Sequence, residues 1–363
     1  MDESRIRIKV GQPVPEWDMQ HRLSTERPVG PDLWDGGTIF SVNSTYMDVT
    51  EQPFMERQWA ALGTVLALSG TVGAWWGYHV THTPNGDVVP FGVHLMFNTM
   101  SLVMLIVFCH LAYLGGRMVF FALKNRPIRF NRKEKKIFAV RRRRFFSKPG
   151  EGDVVTEVDW DKDSVFCIHR TLTNFGRIYH IRCYKLDAAG NVLDAFSIGR
   201  EWQGDRNVRT LLAQWNYWCK YMKEGPQDLP KPMLFIPTRE TISDTFFFGM
   251  YTLGMIASGT ERVITMPFTL VFTALRALSL LTCRQPVWPD SLNQINRVDS
   301  DDPYAEPSGR TPVGWAETIR AHERGEYPES PRGDVPHWNG SKDGVENAEK
   351  WVMDKPPRGL AGA

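Results

Sequence analysis

Two long uncharged stretches interrupt an otherwise polar chain. Residues 59–78 read WAALGTVLALSGTVGAWWGY, and residues 91–114 form a second run without a charged side chain. A helix rises about 1.5 Å per residue, so twenty residues cover the roughly 30 Å hydrocarbon core of a membrane. Buried helices of a soluble protein are the alternative, but two such runs in succession favour a transmembrane hairpin over residues 57–123.

The residue types within these runs fit a membrane hairpin. Aromatic residues, which prefer the depth of the lipid headgroups, close the first run: Trp75, Trp76 and Tyr78. Small residues along it leave room for a close neighbouring helix: Gly63, Ala67, Gly70 and Gly73. Arg117 follows the second run closely enough to reach the interface.

Flanking charges predict the orientation. Residues 79–90 contain no Lys or Arg, whereas residues 124–148 contain twelve and one acid, Glu134. Because cytoplasmic loops are the ones enriched in Lys and Arg, the sequence predicts a multi-pass inner-membrane protein whose residues 1–56 and main domain are cytoplasmic. The basic run at Arg141, Arg142, Arg143 and Arg144 is predicted to contact anionic lipid headgroups, each residue contributing on the order of 1 kcal/mol. A nucleic-acid patch is the competing interpretation, and the position beside the membrane favours lipid.

Residues 124–225 have the pattern of a small antiparallel β domain. IRFNRKEKKIFAV predicts a hairpin, DVVTEVDW alternates with SVFCIHR as a partner strand, and Asp187–Asn191 is a strong turn between two further strands. Apolar residues then recur at helical spacing in RNVRTLLAQWNYWCKYM. The predicted class is α+β, with a pleckstrin-homology-like order of strands closed by an amphipathic helix.

Residues 226–297 include a second apolar region. Residues 246–258 are too few to span a membrane, and residues 263–283 contain Pro267 and Arg276, an Arg being costly in mid-span. We therefore expect two interfacial helices, with a third span and an external C-terminus as the alternative. Residues 298–363 are rich in Pro, Gly and charge, which predicts an extended or partly disordered tail.

No catalytic motif is visible, so we expect no enzyme activity, cofactor or metal. His79, His82 and Asp87 form only a weak metal-ligand pattern, more typical of a solvated loop. His94 and Asn98 share one helix face, where hydrogen bonding to Ser69 or Thr71 is favoured over a proton relay. The five scattered cysteines are expected to be reduced thiols.

An acidic strip is the main candidate for binding a partner. Within a longer acidic stretch that begins at Glu151 and Asp153, it consists of Glu157, Asp159, Asp161 and Asp163. A solvated sheet face is the simpler interpretation. The alternative is a docking surface for a basic protein, because complementary charge steers association, and such carboxylates can mimic phosphates to a nucleic-acid-binding partner.

The order of these segments resembles a family of bacterial membrane proteins with an uncharacterised domain, often encoded beside type VI secretion effectors. The resemblance covers residues 40–297 and is most specific in RPIRFNRKEKK and in CRQPVWP. Members of that family are taken to be immunity proteins, so it implies a cognate toxin as partner, possibly a nuclease, and no nucleic acid. A scaffold for effector loading and a lipid-binding membrane protein are the alternatives.

Overall fold

The described part of the chain forms two antiparallel sheets with one helix packed on the core that they share. Two pairs of helices extend away from this core. The structure is a computed structural model and describes residues 9–26, 28–29, 32–51, 57–82, 91–144, 146–173, 176–204, 207–232, 234–252 and 259–326. The strands are β1 Arg22–Leu23, β2 Ile39–Val42, β3 Tyr46–Thr50, β4 Pro127–Asn131, β5 Lys136–Arg142, β6 Val154–Asp159, β7 Ser164–Thr173, β8 Gly176–Leu186 and β9 Val192–Gln203. The helices are α1 Glu16–Gln20, α2 Arg57–His82, α3 Phe91–Val119, α4 Val208–Glu224, α5 Ile242–Thr252, α6 Gly259–Leu281, α7 Asp290–Ile295 and α8 Trp315–Glu323.

The first sheet is interrupted in sequence by the long helices. Its order is β2-β3-β4-β5-β6, and β3 pairs with β4 from Tyr46↔Asn131 to Thr50↔Pro127. Helices α2 and α3 therefore leave the sheet between two neighbouring strands and return to it. The sequence prediction placed residues 1–56 outside the β domain. The structure differs from it, because β3 lies within those residues and pairs with β4, to which the chain connects it only through both long helices.

The second sheet has the order β1-β7-β8-β9. The predicted hairpins β4–β5 and β8–β9 are confirmed. The predicted pairing of SVFCIHR with DVVTEVDW is wrong, because β6 pairs with β5 while β7 pairs with β8 and β1. Trp160 is buried after β6, and Asp163 adopts a left-handed φ of 52°, which turns the chain into the other sheet.

Helix α4 covers the core between the sheets, as its apolar spacing predicted. The Trp215 ring lies 5.5 Å from the Trp160 ring and 5.0 Å from the Phe166 ring, between their centroids. Trp215 Nε1 donates to the Ser24 carbonyl at 3.1 Å. Fully burying a large apolar side chain contributes roughly 1.5–3 kcal/mol, so α4 is a principal source of stability for the domain.

The second helical pair, α5 and α6, also begins and ends at this domain. Before α5, Phe235 forms β-bridges with Ile39 and Val313. After α6, Arg284 bridges to Leu123, which follows α3. Both helical pairs are thus excursions from one α+β domain, and their attached ends lie together.

Candidate membrane-facing and partner-binding surfaces

Two of the described helices are long and apolar enough to cross a membrane. They cover Gly92–Arg117, where 6% of the most apolar window is buried, and Val263–Leu281, where 33% is buried. The run predicted at 59–78 lies in α2, which is not among these two but exposes a similar surface: Leu66, Leu68, Val72, Trp75 and Trp76. Contiguous apolar surface of this extent indicates an interaction site, and here it indicates association with a membrane.

Helices α2 and α3 run antiparallel in close contact. Gly70 lies against the Phe108 ring, where an added Cβ would come within 2.8 Å, while Gly63 and Gly73 have no such neighbour within 4 Å. Gly115, which the sequence analysis missed, lies so close to Thr64 that a Cβ would collide with the hydroxyl. The small residues that fix the helix pair are therefore contributed by both helices.

The register of this pair corrects the interpretation of Asn98. Gly77 lies opposite Ser101, which puts Asn98 level with the end of α2 near Val80. Ser69 and Thr71 lie about three turns away along the helix. Thr71 Oγ1 instead donates to the Ala67 carbonyl of its own helix at 3.0 Å.

A buried ion pair explains how α6 accommodates an arginine. Arg276 Nε and Nη2 donate to the two carboxylate oxygens of Glu240 at 2.6 and 2.9 Å, with side chains 3% and 6% exposed. Arg276 Nη1 also donates to Gln58 Oε1 at 3.1 Å. The argument from Arg276 against a membrane location therefore does not hold, because its charge is compensated at the end of α6 that meets the domain.

Arg57 joins the attached ends of three long helices. Its guanidinium donates to the carbonyls of Val119 and Leu123 at 3.1 and 2.6 Å, and lies 2.7 Å from Cys283 Sγ. Val119 is the last residue of α3, where the helix leaves backbone acceptors unsatisfied, and Leu123 follows it in the connection to β4. We call Arg57, Gln58, Glu240, Arg276 and Cys283 the junction.

The two most specific sequence segments meet in the fold and have structural roles. Arg129 of RPIRFNRKEKK forms a bidentate pair with Asp48, and its guanidinium lies 4.5 Å from the Trp288 ring of CRQPVWP. Asp153 is buried and accepts hydrogen bonds from the Val287 amide and the Arg284 guanidinium, both at 2.8 Å. These contacts fasten the segment after α6 to the first sheet.

A groove of about 620 Å³ lies where the helix pair α2–α3 meets the basic strand β5. Its rim is basic: Arg117, Arg126, Arg141, Arg142 and Arg143. The rest of its lining is mostly apolar, including Leu68, Ala112, Tyr113, Phe120 and Phe121. We call this the basic groove.

The four arginines predicted to contact lipid have different surroundings. Arg141 pairs with Glu51 at 2.8 Å, and Arg143 donates to the Phe121 carbonyl at 2.5 Å. Arg144 pairs with Glu151. Arg142 is exposed and makes no ion pair with any described residue. Three of the four line the basic groove, and Arg144 does not.

The acidic strip lies at the opposite end of the same strands. In the register of β5 and β6, Lys136 lies opposite Asp159 at one end and Arg142 lies opposite Val154 at the other. The strands therefore separate the basic and acidic ends by about 20 Å. Glu151 and Asp153 stay at the basic end, apart from the strip. Within the strip Glu157 pairs with Lys136 at 2.5 Å, and Asp161 lines a cavity with Lys135 and Lys223. The acidic strip therefore has mixed charge, and it resembles the uniformly negative backbone of a nucleic acid less than predicted.

The remaining predicted sites show no assembled chemistry. Among the residues that the structure describes, no group of three His, Cys, Asp or Glu could hold a metal. His79 lies beside Trp75, whereas the side chain of His82 and all of Asp87 fall outside the described residues. The cysteines are free thiols, as predicted, and burial raises the pKa of Cys167, Cys183 and Cys219 well above the usual value.

A buried polar cluster attaches the N-terminal helix and was not predicted. Asp18 of α1 is 2% exposed and accepts hydrogen bonds from His169 Nδ1 at 2.8 Å and the Tyr184 hydroxyl at 2.5 Å. Burial lowers the pKa of His169, and the hydrogen bond that His169 donates to Asp18 opposes that shift. The only sequence signal was EWDM before the domain, too short to indicate a partner.

The fold and these surfaces define an α+β protein with two helical pairs, each of which contains one described helix long and apolar enough to cross a membrane. The chain belongs to a family of unknown function, DUF6708, whose sequence model matches residues 103–300, more than half of the 363 residues. The match extends from the middle of α3 to just beyond α7. No curated protein and no solved structure matches the chain significantly.

Proposed function

We propose that this protein is an integral inner-membrane protein whose cytoplasmic β domain binds and neutralises a toxin. In this proposal α2 and α3 form a transmembrane hairpin, and the basic end of the domain lies against the inner leaflet. The observation that carries the proposal is the separation of two surfaces along β5 and β6: the basic groove lies where these strands meet the helices, and the acidic strip, with Lys135 and Lys136 beside it, lies at the far end. Such an arrangement presents the acidic strip to the cytoplasm.

The two helical pairs enter the bilayer differently in this proposal. Thr50 and Pro127 are paired in one sheet, so α2 and α3 carry the chain out and back. Gly249 lies against Thr269, while Glu240 meets Arg276, so α5 and α6 are also antiparallel. The apolar run at residues 246–258 contains thirteen residues, which would rise only about 20 Å as a helix, too little to span. We therefore treat the second pair as a re-entrant hairpin, with the residues after it on the cytoplasmic side.

We further assign a pleckstrin-homology-like arrangement to the domain. Strands β3–β6 form one antiparallel meander, β7–β9 form the other, and α4 follows the last strand and packs on the shared core. The helix pair α2–α3 then lies in the connection between the first two strands of that arrangement. This order explains how one small domain holds both the membrane anchor and the acidic strip.

Labelling of introduced cysteines tests the topology. Val80→Cys, at the far end of α2, is expected to react with a membrane-impermeant maleimide in intact cells whose outer membrane has been permeabilised. Ser147→Cys is expected to react only after the inner membrane is opened. The reverse pattern, or equal labelling of both positions, would refute the proposed placement.

Neutralising the acidic strip tests toxin binding. The triple variant Asp159→Asn, Asp161→Asn, Asp163→Asn keeps side-chain volume and suits the left-handed backbone at residue 163. We expect it to lose co-purification with the toxin encoded beside it and to leave cells sensitive. A matched triple variant at other exposed carboxylates, Asp228, Asp299 and Asp301, is expected to protect normally.

Deletion separates this function from effector loading. Deleting an immunity protein makes the cell sensitive to its own toxin. Deleting a loading scaffold abolishes toxin delivery and leaves the cell resistant. Resistance of the deletion strain, together with full binding by the triple Asn variant, would overturn the proposal.

A further inference from the structure

The basic groove combines a cationic surface with an apolar one. Arginines form its rim, and within one helical turn of Arg117 the groove is lined by Tyr113, which is 63% exposed. Its volume of about 620 Å³ falls within the roughly 300–1,000 Å³ range of small-ligand sites. We propose that the groove binds one anionic phospholipid, with the phosphate among the rim arginines and the acyl chains along α2 and α3. This inference rests on the proposed membrane placement.

The charge balance of the rim favours an anion. Arg126 and Arg141 share the buried carboxylate of Glu51, at 3.4 and 2.8 Å, and Arg141 also lies 3.7 Å from Asp194. Those two arginines are therefore compensated within the protein.

Two other rim arginines keep their charge available. Arg117 and Arg142 are exposed and make no ion pair with any described residue. A guanidinium group binds phosphate through paired N–H donors, and basic pockets at the cytoplasmic side of membrane helices suit anionic headgroups. A zwitterionic headgroup brings its own cation and gains less from this rim.

The apolar lining favours a lipid over a soluble phosphate. Leu68 of α2 and Phe121, two residues after the end of α3, are 51% and 67% exposed, and both line the groove. A free phosphate covers the arginines and leaves these side chains in contact with water. A phospholipid covers both, because its glycerol and acyl chains follow the phosphate directly.

The first test removes charge. The full-length protein in neutral detergent is titrated with phosphatidylglycerol, with phosphatidylcholine of the same acyl chains, and with inorganic phosphate, and bound lipid is counted by native mass spectrometry. We expect one tightly bound phosphatidylglycerol, and Arg117→Gln with Arg142→Gln should weaken it roughly thirtyfold, at about 1 kcal/mol per charge. The matched control, Arg297→Gln with Arg310→Gln, removes two exposed charges elsewhere and should bind normally.

The second test fills the groove and leaves every arginine in place. Leu68→Trp is expected to abolish the tight binding, whereas Leu66→Trp, which is also exposed on α2 but lies outside the groove, should not. Equal affinity for phosphatidylcholine, competition by phosphate at the lipid's own concentration, or full binding by Leu68→Trp would each overturn the proposal.

Membrane extraction distinguishes a failure of the groove from a failure of the proposed function. Carbonate extraction releases peripheral proteins and leaves integral ones in the pellet. Release of the wild-type chain would refute the membrane placement and, with it, the lipid site. Retention without a preference for anionic lipid would refute the lipid site alone.

Discussion

Removing Glu240 would take away the carboxylate that pairs with Arg276 in the interior of the junction. The two side chains are 3% and 6% exposed and share two hydrogen bonds, and the Phe248 ring lies 4.2 Å from the guanidinium carbon. Breaking a buried pair by removing one partner typically costs about 3–5 kcal/mol, because the remaining charge is uncompensated. We expect Glu240→Gln, which keeps the volume, to lower the free energy of unfolding by about 3 kcal/mol.

A double-mutant cycle isolates the interaction of the two charges. Glu240→Gln, Arg276→Met and the double variant are unfolded with denaturant in detergent, with tryptophan fluorescence as the readout. The double variant should lose clearly less than the sum of the single variants, since neither charge is then left alone. Glu326→Gln is the control, because its pair with Arg324 is 57% exposed on both sides and should contribute nothing measurable.

Additive single-variant effects would refute this reasoning, as would single variants as stable as the parent. Either result would mean that water reaches the guanidinium of Arg276. The end of α6 would then not be sealed against the domain.

Three further predictions concern the helix pair, the N-terminal cluster and the segment after α6. Gly115→Ala should destabilise the α2–α3 pair by about 1–3 kcal/mol, because its Cβ collides with Thr64, whereas in Gly116→Ala the nearest atom is 3.9 Å away; thermal unfolding of both variants measures this. Burial lowers the pKa of His169, so its contribution to stability is complete above about pH 6.5 and is lost as the pH falls below that value, because the unfolded chain then takes up a proton that the folded chain resists. Unfolding measured between about pH 5 and 8 should show this slope, and His169→Gln should reduce it. Asp153→Ala should cost about 1–3 kcal/mol and speed proteolysis after α6, because the Val287 amide and the Arg284 guanidinium lose the buried carboxylate that accepts their hydrogen bonds.

Each of these predictions has an internal comparison. Equal melting temperatures for the two glycine variants would contradict the close contact at Gly115. An unchanged pH slope in His169→Gln would assign the effect to another group. Glu151→Ala removes an exposed carboxylate near Asp153 and should leave proteolysis unchanged.

Local features of the fold were predictable because their signals lie within a short stretch. The amphipathic spacing of residues 208–222 sets the bounds of α4, and the Asp187–Asn191 turn joins β8 to β9. The pairing of β3 with β4 was not predictable, because the register is set by packing against the core and the intervening helices hide the connection. Trp160 likewise gave no sign that the chain changes sheets there.

The candidate sites were predictable as residue types and not as assemblies. The basic run was visible in the sequence. The groove was not, because Arg117 and Arg126 complete its lining and lie far from the run in sequence. The sequence showed that Arg276 places a charge in an apolar helix, which is costly. It did not show the partner of Arg276, because Glu240 is 36 residues away. Compensation by distant partners cannot be read from spacing along the chain.

The position of the hairpin between β3 and β4 sets an order on biosynthesis. Strand β3 is synthesised first and must wait, with one edge open, until both long helices have been made and β4 has followed them. In a chain whose hairpin spans the bilayer, β4 reaches its partner only if the second helix returns to the starting side. If the second helix failed to insert, β4 would lie on the wrong side of the bilayer. The sheet would then be incomplete and open to proteases.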